Sequence, residues 1–257
     1  GATDFFGEPS FDVEDLLRVN ADGQGIVHAL RLTDIQDKPK LFSSFMLQLL
    51  AEIYAIFPEE GDVKKPKLVL FIDEAHLIFD NASDALLDQI EVMIKLIRSK
   101  GIGIFFVTQN PSDIPDSVLG QLGLKIQHAL RAFTAKDRKS IQKAAENFPE
   151  SPYYKVDQIL TELGMGEALV TALNEKGIPT PLVHCYLRAP QSRMDVLEPS
   201  EIKALNDRSP LVSKYSEVID RESAHEILTA KLQDAQLDSH REVIQQQRTR
   251  ARQQKST

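Results

Sequence analysis

Residues 68–76 read LVLFIDEAH. Five apolar residues in succession suit a strand covered on both faces, as strands are in parallel sheets. Two carboxylates, Asp73 and Glu74, follow at once. Ligands of open α/β sheets bind at the carboxyl ends of the strands, so this order delivers acidic groups to the ligand edge. A second apolar run, IGIFFVT at 102–108, ends on Thr108 and is followed by Gln109. Between the two runs, Leu86, Leu87, Ile90, Met93, Ile94 and Ile97 recur at three-to-four spacing and predict an amphipathic helix over about 84–99. Lys100 and Gly101 close it, glycine being a natural helix terminator. Strand, helix and strand in this order imply a parallel sheet flanked by helices.

Further out, the pattern continues on both sides. Upstream, Leu41, Phe42, Phe45, Met46, Leu49, Leu50, Ile53 and Phe57 predict a helix over about 40–57, with Pro39 suited to its start. The loop PEEGDVKKP separates it from the first apolar run, and IVHALRL at 26–32 reads as a further strand. Downstream, residues 124–133 read as a fourth core strand, and 135–147 and 155–163 as helices. GEALVTAL and TPLVHCYL, joined by the turn NEKG, predict a terminal hairpin, so the core should end near Leu187. Beyond Pro190 the composition changes. Residues 215–255 are charged and glutamine-rich and read as a solvent-exposed helix fraying into a disordered end.

Composition excludes several classes. The 257 residues carry a formal charge of −8, with 42 % hydrophobic and 26 % charged residues, which is ordinary for a globular protein. No apolar run approaches the roughly 18–20 residues of a membrane helix, and the polar, acidic start GATDFFGEPSF is no secretory signal. Cys185 is the single cysteine, so an internal disulfide is excluded and a reducing, cytoplasmic location is expected. Scattered histidines and the absence of CxxC pairs argue against structural zinc. The negative charge gives no support for nucleic-acid binding by the whole surface. None of the 12 glycines is followed by lysine, so the chain holds no Walker A motif.

The paired carboxylates still have a chemical meaning. Phosphoryl transfer needs negative charge neutralised and the nucleophile oriented. In P-loop enzymes the first carboxylate of such a pair holds Mg²⁺ through water and the second polarises the attacking water. A core strand followed by acidic residues near a helix start is the plainer alternative. The amide of Gln109, at the end of the adjacent strand, suits sensing of a γ-phosphate or orientation of the water, although Gln-Asn-Pro also suits a simple loop.

The run from Leu68 to Arg138 resembles the HerA/FtsK superfamily of P-loop ATPases, and within it the YjgR-like group. A looser match extends from FFGEPSFDVEDLLR to TPLVHCYLRAP. The resemblance implies an α/β fold: a RecA-like, mostly parallel sheet flanked by helices, an incomplete P-loop core, a terminal hairpin and a C-terminal helical tail. Residues 1–190 would be the C-terminal part of the ATPase domain and 191–257 a polar helical tail. By the same resemblance Asp73 is the Walker B carboxylate for Mg²⁺, with Thr108 beside the nucleotide. Glu74 is the catalytic base and Gln109 the sensor. Arg98, in RSKGIGI, stands where such proteins carry an arginine finger acting across a ring interface; a solvated cation at a helix C-terminus is the alternative. Arg131 and Arg138 are further candidates for that role. Asp73-Glu74-Ala75-His76 also spells the DEAH box of superfamily 2 helicases, but their Ser-Ala-Thr and QxxGRxGR motifs do not occur, so His76 reads as a local structural residue. His184 and Cys185 read as an ordinary histidine and a packed thiol.

The missing Walker A motif is the departure from the family. It implies the C-terminal half of a longer protein whose other half carries the phosphate-binding loop; the alternative is a chain that has lost ATP binding. Either version alone is expected to bind ATP and Mg²⁺ weakly and to be inactive. The parent is expected to hydrolyse ATP in order to move DNA, as a homo-oligomeric ring such as a hexamer, without a membrane partner. A non-catalytic assembly module and a motor acting on protein are the other functions considered. The basic end from Arg248 to Lys255 suits phosphate contact or mere solubility.

Overall fold

Pro39, with its fixed φ, opens helix α1, Pro39–Ile56, in the computed structural model, which describes residues 12–61, 63–80 and 82–215. Phe42, Met46, Leu49, Leu50 and Ile53 are buried, as their spacing predicts. Strand β1, Leu68–Ile72, pairs in parallel with β2, Ile102–Phe106, in the register Leu68↔Ile102 through Ile72↔Phe106. Between them run α2, His76–Phe79, and α3, Asp84–Leu96, the latter capped by the Ser83 hydroxyl. A 3-10 turn at Ile97–Lys100 follows, and Gly101, at φ 71°, makes the left-handed exit that favours glycine. Helix α1 packs against α2 and α3.

Ser43 ties these pieces together. It is fully buried on α1, and its Oγ lies 2.8 Å from the Pro39 carbonyl, 3.1 Å from that of Leu77 and 2.9 Å from that of Ile78. One hydroxyl proton serves three acceptors, two of them in α2, the turn that follows the paired carboxylates.

After β2 the chain forms α4, Asp116–Leu119, and then an antiparallel sheet. Strand β3, Lys125–Gln127, pairs with β4, Glu167–Thr171, which pairs with β5, Val183–Tyr186. The last two strands make the expected hairpin, tightened by a bridge between Leu173 and Pro179 and by the turn Asn174–Gly177. Helices α5, Ala135–Glu146, and α6, Val156–Glu162, lie in the loop between β3 and β4. Thr134 and Asp137 form a reciprocal capping box at the start of α5. Ile141, Leu160, Leu163, Leu169 and Leu182 form the buried core of this part.

Three expectations change. Residues 26–32 form no strand; Val27 is 94 % exposed, and the pairing of this stretch stops at the Ile26 N–H, which donates to the Arg18 carbonyl beside an isolated bridge. The expected strand at 124–133 shrinks to three residues and joins the antiparallel sheet, because the Leu130 N–H donates to the Leu160 carbonyl in α6 instead of to a ladder. The strand read as covered on both faces is covered on one. Ile72 and Ile102 are buried, and Phe79 meets Phe106 at 5.9 Å between ring centroids. On the opposite face Phe71 is 70 % and Phe105 37 % exposed, their rings stacked 4.7 Å apart, and Val69 is exposed beside them.

Residues 12–196 belong to one compact unit. A second unit includes the described residues 197–215, which form α7, Pro199–Asn206, and α8, Pro210–Tyr215. The tail expected over 215–255 lies outside the described residues from 216 on. Among the described residues no helix is long and apolar enough to cross a membrane.

Candidate functional site

The parallel ladder continues past the end of β1 with a looped-out pair. The Val107 N–H donates to the Ile72 carbonyl and the Ala75 N–H donates to the Val107 carbonyl, both at 2.9 Å. Residue 107 therefore bridges residues 72 and 75, and Asp73 and Glu74 are extruded between them. Ala75 is fully buried, while Asp73 stays exposed. Parallel pairing puts both strands' C-terminal ends on one edge, so Thr108 and Gln109 arrive beside the two carboxylates.

Glu74 has a φ of 49°, the only positive φ at a non-glycine among the described residues. A side chain in this left-handed region costs on the order of 1–2 kcal/mol. The conformation turns the Glu74 carboxylate toward Gln109 and His76. Gln109 donates from Nε2 to Oε1 at 3.1 Å, and His76 Nδ1 lies 3.2 Å from Oε2. Asp73 points elsewhere, its Oδ1 accepting the Glu74 N–H at 3.0 Å. The Thr108 hydroxyl donates to Asp113 in the following loop, and Asn110 also donates to Asp113 and caps its turn. The sequence thus located Asp73, Glu74 and Gln109 together, with Thr108 behind them. It did not foresee the approach of His76 to the Glu74 carboxylate, which accompanies the left-handed conformation of Glu74.

Arg98 sits at the opposite edge of the sheet, exposed on the turn that precedes β2. Five residues of strand span roughly 16 Å, so Arg98 lies far from Asp73 and Glu74 of its own chain. Arg131 has a structural task. Its guanidinium donates to the Thr161 carbonyl at 2.5 Å and the Leu163 carbonyl at 2.9 Å, satisfying groups at the end of α6. Arg138 lies exposed on α5.

A second polar cluster lies on the hairpin. The Gly164 N–H and His184 Nε2 both reach Glu167 Oε2, at 3.0 and 3.1 Å. The Gly164 N–H, then the Tyr186 hydroxyl and His184, hold the Glu167 carboxyl below its ordinary pKa, and Glu167 in turn raises that of Tyr186. Neighbouring strand residues face opposite ways, so His184 and Cys185 do not form a pair; the Cys185 thiol sits 3.6 Å from the Ala168 carbonyl. A cleft of about 290 Å³ beside β3 and β4 includes Lys125, whose ammonium donates to the Asn147 carbonyl and whose pKa burial lowers. Asp73, Glu74, Arg98, Thr108 and Gln109 do not line it. Among the described residues no three His, Cys, Asp or Glu side chains group to hold a metal ion. A magnesium ion fits such a site through one or two carboxylates, water and nucleotide phosphates.

The sequence matches the family described as "Helicase HerA-like C-terminal" over residues 1–257. It is 32 % identical over 162 residues to "Probable helicase MJECL08" of Methanocaldococcus jannaschii. That match takes in 60 % of this chain and 29 % of the relative, so the chain spans less than a third of the relative's length. Among solved structures it is similar to the genome packaging NTPase B204 of Sulfolobus turreted icosahedral virus 2 bound to AMPPCP, at 16 % identity and a TM-score of 0.42, covering 72 % of this chain and 76 % of that one. It is also similar to VirB4 of Thermoanaerobacter pseudethanolicus, at 20 % identity and a TM-score of 0.45, covering 66 % and 45 %.

Proposed function

The chain belongs to the HerA-like helicase C-terminal family, and from that membership we propose that it supplies the magnesium- and water-handling half of an ATPase site. The observation that carries the reading is the hydrogen bond from Gln109 to a strained Glu74 across two parallel strand ends. Strain kept at a polar, half-buried position with no apolar packing to gain points to function.

In this reading Asp73 is the magnesium carboxylate, acting through a water ligand, and the bound ion neutralises phosphate charge. Glu74 accepts a proton from the water that attacks the γ-phosphorus, while the bond to the departing ADP oxygen breaks. Gln109 fixes the direction of the Glu74 carboxylate, and Thr108 stands beside the nucleotide. A phosphate-binding loop comes from elsewhere in the full-length protein, and that part covers the exposed face of Val69, Phe71 and Phe105. Arg98, at the other end of the strands from Asp73 and Glu74, serves a neighbouring subunit's nucleotide in a homo-oligomeric ring. DNA is the substrate moved, a reading supported by the helicase name of the family.

The test is ATP turnover by the full-length protein. Glu74→Gln should keep ATP binding and lose hydrolysis; equal loss of both would mean that Glu74 is structural. Arg98→Ala should be inactive alone and regain activity when mixed with Glu74→Gln subunits. No complementation would place Arg98 outside the interface.

A further inference from the structure

Away from Asp73 and Glu74, the cleft of about 290 Å³ is lined by the start of β3, the chain leaving α5 and the end of the hairpin. On the hairpin side Leu173 and Pro179 are joined by their bridge. Leu173 sits directly on Gly123, where an added Cβ would come within 3.0 Å of its Cδ1 and 3.2 Å of its Cγ. The walls are therefore formed before any ligand arrives, as in most small-molecule sites.

Lys125 is half-buried in the lining. Its Nζ donates to the Asn147 carbonyl at 2.9 Å, and no carboxylate pairs with it among the described residues. An ammonium carries three donors, so this bond leaves it with capacity to spare. A cation drawn out of water without an anion is costly, and burial accordingly lowers the Lys125 pKa. An anion entering the cleft would offset that cost.

The other lining groups select the anion. Phosphate sites gather several backbone N–H groups or cations, whereas Lys125 is the one cation among the residues that line this cleft. The Thr171 hydroxyl is already committed, donating to the Thr180 carbonyl at 3.0 Å. Glu146, an exposed carboxylate on the same lining, repels a doubly charged group. A monoanion fits these conditions. Phe148, Leu173 and Pro179 add apolar surface for the body that carries it. The volume falls just under the roughly 300 Å³ at which drug-sized pockets begin, so the ligand is small.

We propose that this cleft binds a carboxylate carried on a small apolar group, with the carboxylate on the Lys125 ammonium and the apolar part against Phe148, Leu173 and Pro179. Two sources share that chemistry, the C-terminal residue of a polypeptide and a free carboxylic acid. The site is independent of the ATPase reading, since neither Asp73 nor Glu74 lines it.

The experiment is calorimetric titration of the full-length protein with N-acetyl-leucine, N-acetyl-leucine amide, inorganic phosphate and a glycine-rich tetrapeptide ending in leucine. N-acetyl-leucine should bind with a dissociation constant on the order of 1 mM, and its amide at least about 10-fold more weakly. Lys125→Met keeps the apolar stem, removes the charge and should cost N-acetyl-leucine the same factor. A second measurement needs no variant. Acetic anhydride labelling of the wild-type protein, read by mass spectrometry, should slow about 10-fold at Lys125 when N-acetyl-leucine is present at about ten times its dissociation constant. Labelling of the exposed Lys136 and Lys139 should not change. Tighter binding of the tetrapeptide than of N-acetyl-leucine assigns the cleft to a chain terminus, and weaker binding assigns it to a free acid. No binding of either, equal binding of the acid and its amide, tighter binding of phosphate, wild-type affinity in Lys125→Met or an unprotected Lys125 would overturn the assignment.

Discussion

The parallel pair β1–β2 and the antiparallel sheet β3–β4–β5 bury their apolar residues differently. The antiparallel sheet packs against α5 and α6 through Leu160, Leu163 and Leu169, all essentially inaccessible. Its polar groups are matched locally, with Arg131 on the end of α6 and Glu167 on Gly164, Tyr186 and His184. The parallel pair has one covered face and one that leaves Phe71 and Phe105 in solvent. It also holds the single left-handed non-glycine residue among those described. One region gains its stability from its own neighbours; the other keeps strain and bare apolar surface at a polar edge, the pattern expected where chemistry sets the structure.

The largest effect should be chemical. Glu74→Gln in the full-length protein should reduce ATP turnover by about 10²- to 10⁴-fold and leave the melting temperature unchanged. A matching loss of stability would erase the contrast between the two regions.

Packing comes next. Leu160→Ala should cost about 2–5 kcal/mol in urea unfolding of this chain. Phe71→Ala, on the bare face, should stay within about 0.5–1 kcal/mol. Similar costs at the two positions would mean that the face is covered in solution.

Backbone strain is a smaller and sharper test. Glu74→Gly should be more stable than Glu74→Ala by about 1 kcal/mol, the reverse of their order at an ordinary position, and both should be inactive. Ser43→Ala should cost about 1–2 kcal/mol and reduce turnover through the loosened α2 as well.

The smallest effect concerns pH. Glu167 titrates below the ordinary value of 4.5 because the ionised form accepts from Gly164, Tyr186 and His184. Its contribution is fully present above that value and lost as pH falls through the lower folded one. The stability difference between wild type and Glu167→Gln should therefore hold steady above about pH 6 and shrink toward acid. A difference independent of pH would mean that these hydrogen bonds do not discriminate the charged form.

Much of this was legible without coordinates. The periodicity of α1 and α3, the two apolar strands and the hairpin are local patterns, and local patterns survive folding. The strand expected at 26–32 was not, because an apolar run becomes a strand only where another strand offers hydrogen bonds. Residues 124–133 failed for a related reason: the choice between a ladder partner and the Leu160 carbonyl belongs to tertiary packing.

The sequence by itself determined which residue types could do the chemistry, and where on a strand they would fall. Asp73, Glu74 and Gln109 follow apolar runs, and a parallel sheet has only one ligand edge. Tertiary structure alone decided that Glu74 turns left-handed, that Gln109 donates to its carboxylate, and that Arg98 stands at the far edge. Those outcomes depend on a looped-out pair pinned by Val107, and on a buried serine holding the turn that follows. Distances of that kind are set by three-dimensional packing, which no spacing along the chain encodes.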